Sequence, residues 1–143
     1  MPFYRIGLVG CVKKKRKVRS KAKDMYISDL FIKARRYSEE HYDRWFILSA
    51  KYHLVEPDTY IEPYDETLNE KTKAERLKWA ETVFRQIRDK LSYPPSYELY
   101  FHTGIRYREF LIPLLVDAGY ACKVPLEHLK IGEQLAWYGR HLK

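Results

Sequence analysis

Cysteine is scarce in this sequence, which has only Cys11 and Cys122 among its 143 residues. Two cysteines in a chain of this length do not form the disulfide framework that stabilises small secreted domains. They are also not arranged as the CxxC pair of a structural zinc site, and the five histidines have no metal-ligand spacing. We therefore predict no disulfide framework, no metal site and no cofactor.

Long apolar runs are missing as well. No stretch approaches the roughly 18 apolar residues that span a bilayer, and residues 1–5 show no signal-peptide pattern. We therefore expect a cytoplasmic protein without a membrane partner. With 45% hydrophobic residues the chain is long enough to bury one core, so we predict a single domain over residues 1–143.

Acidic residues are absent from residues 13–23, a segment that we call the basic loop. It holds eight of the 27 Lys and Arg residues, and the 19 that remain balance the 19 Asp and Glu residues. The net charge of +8 therefore resides in this one segment. Because clustered cations attract polyanions, we expect the loop to bind an anion, most of all nucleic acid. The predicted anion-binding cations are Lys13, Lys14, Lys15, Arg16, Lys17, Arg19, Lys21 and Lys23.

The basic loop has other interpretations too. Residues 13–18 would pass as a nuclear-import signal, and any lysine run can be a solvated, flexible segment. The loop lies between a predicted strand and a predicted helix, however, and backbone N–H groups at a helix start also attract anions. Its position therefore favours anion binding. No Gly-Lys-Ser/Thr follows Gly10, which argues against a P-loop and against nucleoside-triphosphate hydrolysis.

Strand and helix patterns alternate along the chain. Short apolar or alternating runs predict strands at residues 4–10, 45–48, 97–101 and 121–124. Helical periodicity predicts helices at residues 25–42, 72–91, between Gly104 and Gly119, and 132–141. Thr72 and Glu75 form a capping-box pattern at the second of these helices. The order predicts an α/β fold with a mainly parallel sheet of about four strands and helices on both faces.

Residues 52–68 match neither pattern and are predicted to be irregular. A loop of this length is unusual inside a compact domain, and such loops are usually functional or disordered. Its tyrosines, Tyr52, Tyr60 and Tyr64, favour an ordered, functional loop.

Open α/β sheets bind ligands beyond the carboxyl ends of their strands. The basic loop and residues 49–52, 102–104 and 125–127 follow predicted strands, so we expect them to meet at that edge. Carboxylates there could position water or stabilise positive charge, and nearby cations would favour the thiolate form of a cysteine. The predicted catalytic residues are Asp58, Asp65, Lys51 and Cys11. The other predicted anion-binding residues are Ser49, Tyr52, Tyr64, Thr103 and Arg108.

Three of the four catalytic candidates also have a simpler structural explanation. Asp58 and Asp65 occur in ordinary turn sequences, and Cys11 could be a small buried residue that closes a strand. His102 ends another predicted strand, where a lone histidine more often has a structural than a catalytic role. Residue types alone leave these alternatives open.

The chain carries recognisable segments at residues 8–13, 23–31, 47–55, 57–58, 63–68, 104, 107–108, 125–126 and 131–137. Together they resemble an uncharacterised family of small bacterial and archaeal domains. The usual motif of that family has Gly at the position where this chain has His53. They are also similar to YaaA-type peroxide-stress proteins, which bind DNA, and remotely to uracil-DNA-glycosylase-like domains of archaeal tRNA-modifying enzymes. The resemblance implies a glycosylase-like three-layer sandwich and a nucleic-acid setting. It implies a site built from Cys11, Lys13, Asp24, Tyr26, Ser49, Lys51, Tyr52, Asp58, Tyr64 and Asp65.

Three functions are consistent with these features. The leading hypothesis is a nucleic-acid-acting domain of glycosylase-like architecture, which holds phosphates on the basic loop and cleaves or modifies an N-glycosidic bond or base. DNA is favoured over RNA as the partner. The alternatives are a DNA- or RNA-binding protein without catalysis, and an enzyme that processes a phosphorylated nucleotide or a nucleoside.

Overall fold

A five-stranded sheet lies at the centre of the computed structural model, which describes residues 3–10 and 13–143. The described residues form seven strands, which are β1 (Tyr4–Gly10), β2 (Ser20–Lys21), β3 (Arg44–Ser49), β4 (His53–Val55), β5 (Tyr60–Ile61), β6 (Tyr97–His102) and β7 (Ala121–Lys123). Five of them make the sheet in the order β4-β3-β1-β6-β7, and β2 pairs separately with β5. β1, β3, β6 and β7 are parallel, whereas β4 runs antiparallel at one edge.

Helices cover both faces of this sheet. They are α1 (Ala22–Met25), α2 (Asp29–His41), α3 (Lys73–Lys90), α4 (Ile105–Arg108), α5 (Leu111–Asp117) and α6 (Ile131–His141). α2 packs against α6 on one face, and α3 packs against α5 on the other. Ile6 and Leu8 of β1 belong to the apolar cluster under α3 and α5, and Val9 belongs to the cluster under α2 and α6. No helix in the described residues is long and apolar enough to cross a membrane.

Local sequence explains where the two longest helices begin. α2 starts after Ser28, whose side-chain oxygen accepts a hydrogen bond from the Phe31 backbone N–H. α3 starts with the predicted capping box, in which Thr72 and Glu75 each accept a hydrogen bond from the other's backbone N–H. These side chains satisfy N–H groups that have no partner within the first turn of a helix.

The α/β class and the mainly parallel sheet are confirmed, and the four predicted strands correspond to β1, β3, β6 and β7. The strand number is wrong, because a fifth strand, β4, lies inside the segment predicted to be irregular. β4 forms a hairpin with β3, and Ser49 pairs with His53 where the chain turns. His53 has a φ of 64°, a left-handed conformation that favours glycine. Histidine gives no such turn signal, which is why the hairpin escaped prediction.

Two predicted helices are each divided in the structure. Residues 26–28 separate α1 from α2, since Ser28 caps a new helix there. Pro113 lies in the first turn of α5, where its missing N–H needs no partner. In one continuous helix its ring would clash with the carbonyl of Glu109, four residues earlier. The proline therefore explains the break between α4 and α5.

The carboxyl ends of β1 and β6 lie very close together. Val9 pairs with His102 in parallel register, which brings Gly10 beside Thr103. A side chain at Gly10 would overlap the side chain of Thr103. Packing against the neighbouring strand end therefore requires glycine at this position.

We predict that Gly10→Ala destabilises the protein by about 1–3 kcal/mol, because the added methyl group overpacks this contact. Chemical denaturation would measure the change in the free energy of unfolding. Gly139→Ala is the matched control, because a Cβ at this position in α6 would meet no heavy atom within 4 Å. The control should stabilise the protein slightly, since alanine favours a helix over glycine. Equal effects of the two substitutions would contradict the packing argument.

Candidate functional site

The basic loop is folded against the body of the protein. Lys15 and Tyr26 form an isolated antiparallel bridge. The Arg16 backbone N–H donates to the Met25 carbonyl at 2.8 Å. Farther along the loop, β2 pairs with β5. Backbone hydrogen bonds therefore hold both halves of the loop, which argues against the interpretation as a flexible segment.

The eight cations of the basic loop fall into two groups. The Asp58 carboxylate lies 3.0 Å from Lys23 Nζ and 3.9 Å from Lys21 Nζ. The Glu62 carboxylate lies 3.7 Å from Arg19 Nε. Within the described residues, the cations left without a carboxylate partner are Lys13, Lys14, Lys15, Arg16 and Lys17. Uncompensated positive charge is thus concentrated in the first half of the loop.

A cavity of about 350 Å³ lies beside the first half of the basic loop, at the carboxyl ends of β1 and β6. Its volume falls within the range of small-molecule binding sites. One wall is apolar and comes from Leu30, Phe31 and Ala34 of α2. Lys13 and Lys15 of the basic loop also line it, so the cavity combines an apolar surface with two cations.

A buried hydrogen-bonded chain lies next to the cavity. His102 Nδ1 is 2.7 Å from the Tyr138 hydroxyl, and its Nε2 is 2.6 Å from the Tyr42 hydroxyl. His102 and Tyr138 line the cavity. Because His102 is only 7% exposed, burial lowers the pKa of its imidazole to about 3. A neutral imidazole has one donor and one acceptor nitrogen, so one tyrosine hydroxyl accepts a hydrogen bond from the ring and the other donates a hydrogen bond to it.

Another network connects three of the predicted anion-binding residues. Ser49 Oγ donates to the Tyr64 hydroxyl at 2.8 Å and accepts from the Tyr52 backbone N–H at 3.0 Å. The Tyr64 and Tyr26 hydroxyls are 2.7 Å apart. Lys15 Nζ lies 4.6 Å from the centre of the Tyr64 ring, within the range of a cation–π contact. The network therefore positions Lys15 at the cavity. Ser49, at the other end of the network, is buried.

The predicted catalytic carboxylates do not line the cavity. Asp58 has a 73% exposed side chain, and its hydrogen bond with Lys23 holds the pKa of its carboxyl below the ordinary value. Asp65 is exposed. Lys51 is exposed and lines a separate depression on the α3 side. The geometry of Asp58 agrees with a structural role, in which it anchors the second half of the basic loop.

The remaining candidates are divided between the cavity and its surroundings. Thr103 lines the cavity. Arg108 Nε donates to the Thr103 carbonyl at 3.4 Å, and its guanidinium lies 3.5 Å from the Glu127 carboxylate, so it braces the turn after β6. Asp24 forms an ion pair with Arg35 at 3.1 Å. Cys11 lies outside the described residues, and its nucleophilic role stays a prediction.

Several cavity residues were not predicted from the sequence. Tyr107 and Tyr138 come from helices, where a tyrosine on a buried face is typical of the core. The signal that could have identified them is the hydroxyl, which needs a partner when it is buried. Glu66 and Asn69 flank Thr67, which starts a 3₁₀ turn at Leu68–Glu70. No cluster of three metal-binding side chains occurs within residues 3–10 and 13–143.

Comparison with known proteins places the chain in one family. The sequence model of a family of unknown function, DUF6884, matches residues 6–140. The chain belongs to this family. No curated protein and no solved structure matches it. The match extends from β1 to α6, so the sheet, the basic loop and the cavity all lie within the DUF6884 region. Membership of an uncharacterised family is confirmed, and the similarity to YaaA-type and glycosylase-like proteins stays a hypothesis.

The buried histidine makes stability sensitive to acid. Below pH 6.5 the unfolded chain protonates His102, whereas the folded protein keeps it neutral down to about pH 3. Stability should therefore fall as the pH decreases through this interval, by at most about 1.4 kcal/mol per pH unit from this group. Burial also lowers the pKa of His53, which adds to the effect in the same direction.

Urea denaturation between neutral and mildly acidic pH would measure this dependence. His102→Asn should flatten the decline in the free energy of unfolding, even if the variant is less stable at neutral pH. His128→Asn is the control, because His128 is exposed and has a φ of 72°, which asparagine tolerates. An unchanged slope in His102→Asn would show that His102 is not the acid-sensitive group.

Proposed function

We propose that this chain is a nucleic-acid-binding domain that receives one nucleotide in the cavity and holds the flanking phosphates on the basic loop. The observation that carries the proposal is that the cavity is lined by Lys13 and Lys15, two of the five loop cations that have no carboxylate partner among the described residues. The fixed backbone of the loop supports the same conclusion, because preorganised cations lose less entropy on binding.

The lining of the cavity suits a nucleoside better than a bare phosphate. The apolar side chains of α2 offer contact area to a base or sugar, and several uncharged polar groups offer hydrogen bonds. These polar groups include Thr103, Asn69 and Gln134. A nucleotide that enters such a cavity must leave the base stack, as happens in proteins that recognise or modify single bases.

Catalysis at an N-glycosidic bond is a second candidate function, within a glycosylase-like architecture. The mainly parallel sheet, covered on both faces and carrying its cavity at the carboxyl edge, supports this architecture. A carboxylate beside a reacting sugar can position water or stabilise positive charge, and Glu66 lines the cavity. Glu66 also lies 3.4 Å from Lys71 Nζ. Glu66 is therefore a better candidate than Asp58 or Asp65 for this role.

Binding to nucleic acid should depend strongly on salt, because phosphate contacts release counterions. We predict that Lys15→Gln and Arg16→Gln each weaken binding and reduce the log–log salt slope by about 0.7 to 0.9 for every phosphate that the variant no longer neutralises. Fluorescence anisotropy with labelled DNA and RNA oligonucleotides over a salt series would measure both quantities.

The matched control is Arg85→Gln, which removes an exposed cation from α3 on the opposite face of the sheet. It should change neither affinity nor slope appreciably. Absence of binding to DNA and RNA at low salt would refute the proposed function, and so would salt-insensitive binding.

The substitution Asp58→Asn tests whether Asp58 has a structural or a catalytic role. The substitution frees Lys21 and Lys23 from their carboxylate partner, so nucleic-acid affinity should stay equal or rise. Asp89→Asn in α3 is the control for the change in net charge. Retained affinity together with the loss of a base-releasing activity on modified oligonucleotides would instead support a catalytic role for Asp58.

A further inference from the structure

A second depression, which we call the groove, opens between the amino-terminal ends of α2 and α6. Its volume is about 540 Å³. The apolar part of its lining comes from Leu30, Ile131 and Leu135, and the cations Lys13 and Lys14 lie at its border. Ile131 is 65% exposed, the largest exposed fraction of any large apolar side chain in the described residues. Apolar contact area bordered by cations suits a ligand that has both an apolar part and an anionic part.

The groove and the cavity adjoin each other. Lys13, Leu30 and Ile131 line both of them. A ligand that fills the cavity can therefore extend into the groove while it remains in contact with the same three side chains. Lys14 and Leu135 line the groove and not the cavity, so they can be used to test the groove separately.

We propose that the groove binds the nucleotide adjacent to the one in the cavity, so that the ligand is a single strand of at least two nucleotides. This inference rests on the proposed function. Lys13 is the cation shared by both sites, which suits the phosphate that joins two neighbouring nucleotides. The apolar surface of the groove offers contact area to an unpaired base, whose faces are free in a single strand.

One carboxylate, Asp29, also lines the groove, and it favours a strand over a free nucleotide. The triphosphate chain of a mononucleotide would bring several negative charges into the groove beside this carboxylate. A second base or sugar is uncharged and can donate hydrogen bonds to it.

The test compares the affinities of a nucleoside 5′-monophosphate, the dinucleotide and a longer strand of the same base, and the stable duplex that this longer strand forms with its complement. Calorimetry with the full chain would measure them under one salt condition. We expect the dinucleotide to bind about tenfold more tightly than the monophosphate, the gain of roughly one additional base contact. The duplex should bind more weakly than the single strand, because its bases are already stacked and paired.

Groove variants should reduce the ratio of dinucleotide to monophosphate affinity. Leu135→Ala removes apolar surface and Lys14→Gln removes a cation, so the two test different parts of the groove. Leu77→Ala and Arg85→Gln are the matched controls, since both residues are exposed on α3. Thermal unfolding of each variant would show that the fold is retained, and the exposed Lys14 keeps the test usable if Leu135→Ala fails to fold.

The outcomes separate the two proposals. If the dinucleotide binds no more tightly than the monophosphate, the groove inference is wrong while the cavity proposal stands. A duplex that binds as tightly as the single strand would also overturn the groove inference. If neither monophosphate nor any oligonucleotide binds, the proposed function itself fails and the groove inference fails with it.

Discussion

The parallel pairing of β1 between β3 and β6 is the constraint on which the candidate site depends. It brings the carboxyl ends of three strands to one edge of the sheet, where Gly10 allows Thr103 to pack against the end of β1. The basic loop leaves the sheet at this point, and His102 reaches the cavity from the neighbouring strand. A shift in this register would move the basic loop, which follows β1, relative to His102 and Thr103 at the carboxyl end of β6.

The basic loop has two physically different halves. Its second half is compensated by Asp58 and Glu62, and β2 attaches it to β5. In the part of the chain that the structure describes, the cations of its first half have no carboxylate partner, and Lys15, held over the Tyr64 ring, lines the cavity. Electrostatic attraction is strongest where charge is both concentrated and fixed, so the first half is the part suited to contact phosphates. The second half serves to hold it in place.

The cavity and the groove lie side by side and together form one extended surface. Apolar side chains of α2 and α6 form its surface, and Lys13 lies at the junction. Two carboxylates lie along this surface. Glu66 lines the cavity, and Asp29 lines the groove. The proposed binding of a nucleic-acid strand and the proposed chemistry on its sugar can therefore be tested separately, because they depend on different residues.

Sequence by itself determined the α/β class, the positions of β1, β3, β6 and β7, the capping box of α3 and the segment that carries the charge. These features depend on residues a few positions apart, whose periodicity and local hydrogen bonds are visible in the chain. Tertiary structure alone decided that Asp58 neutralises Lys23, that His102 lies between Tyr42 and Tyr138, and which cations border the cavity. Those contacts join residues that are far apart in the chain, as His102 is 60 positions from Tyr42 and 36 from Tyr138. No local pattern encodes such contacts, because they exist only once the strands have paired.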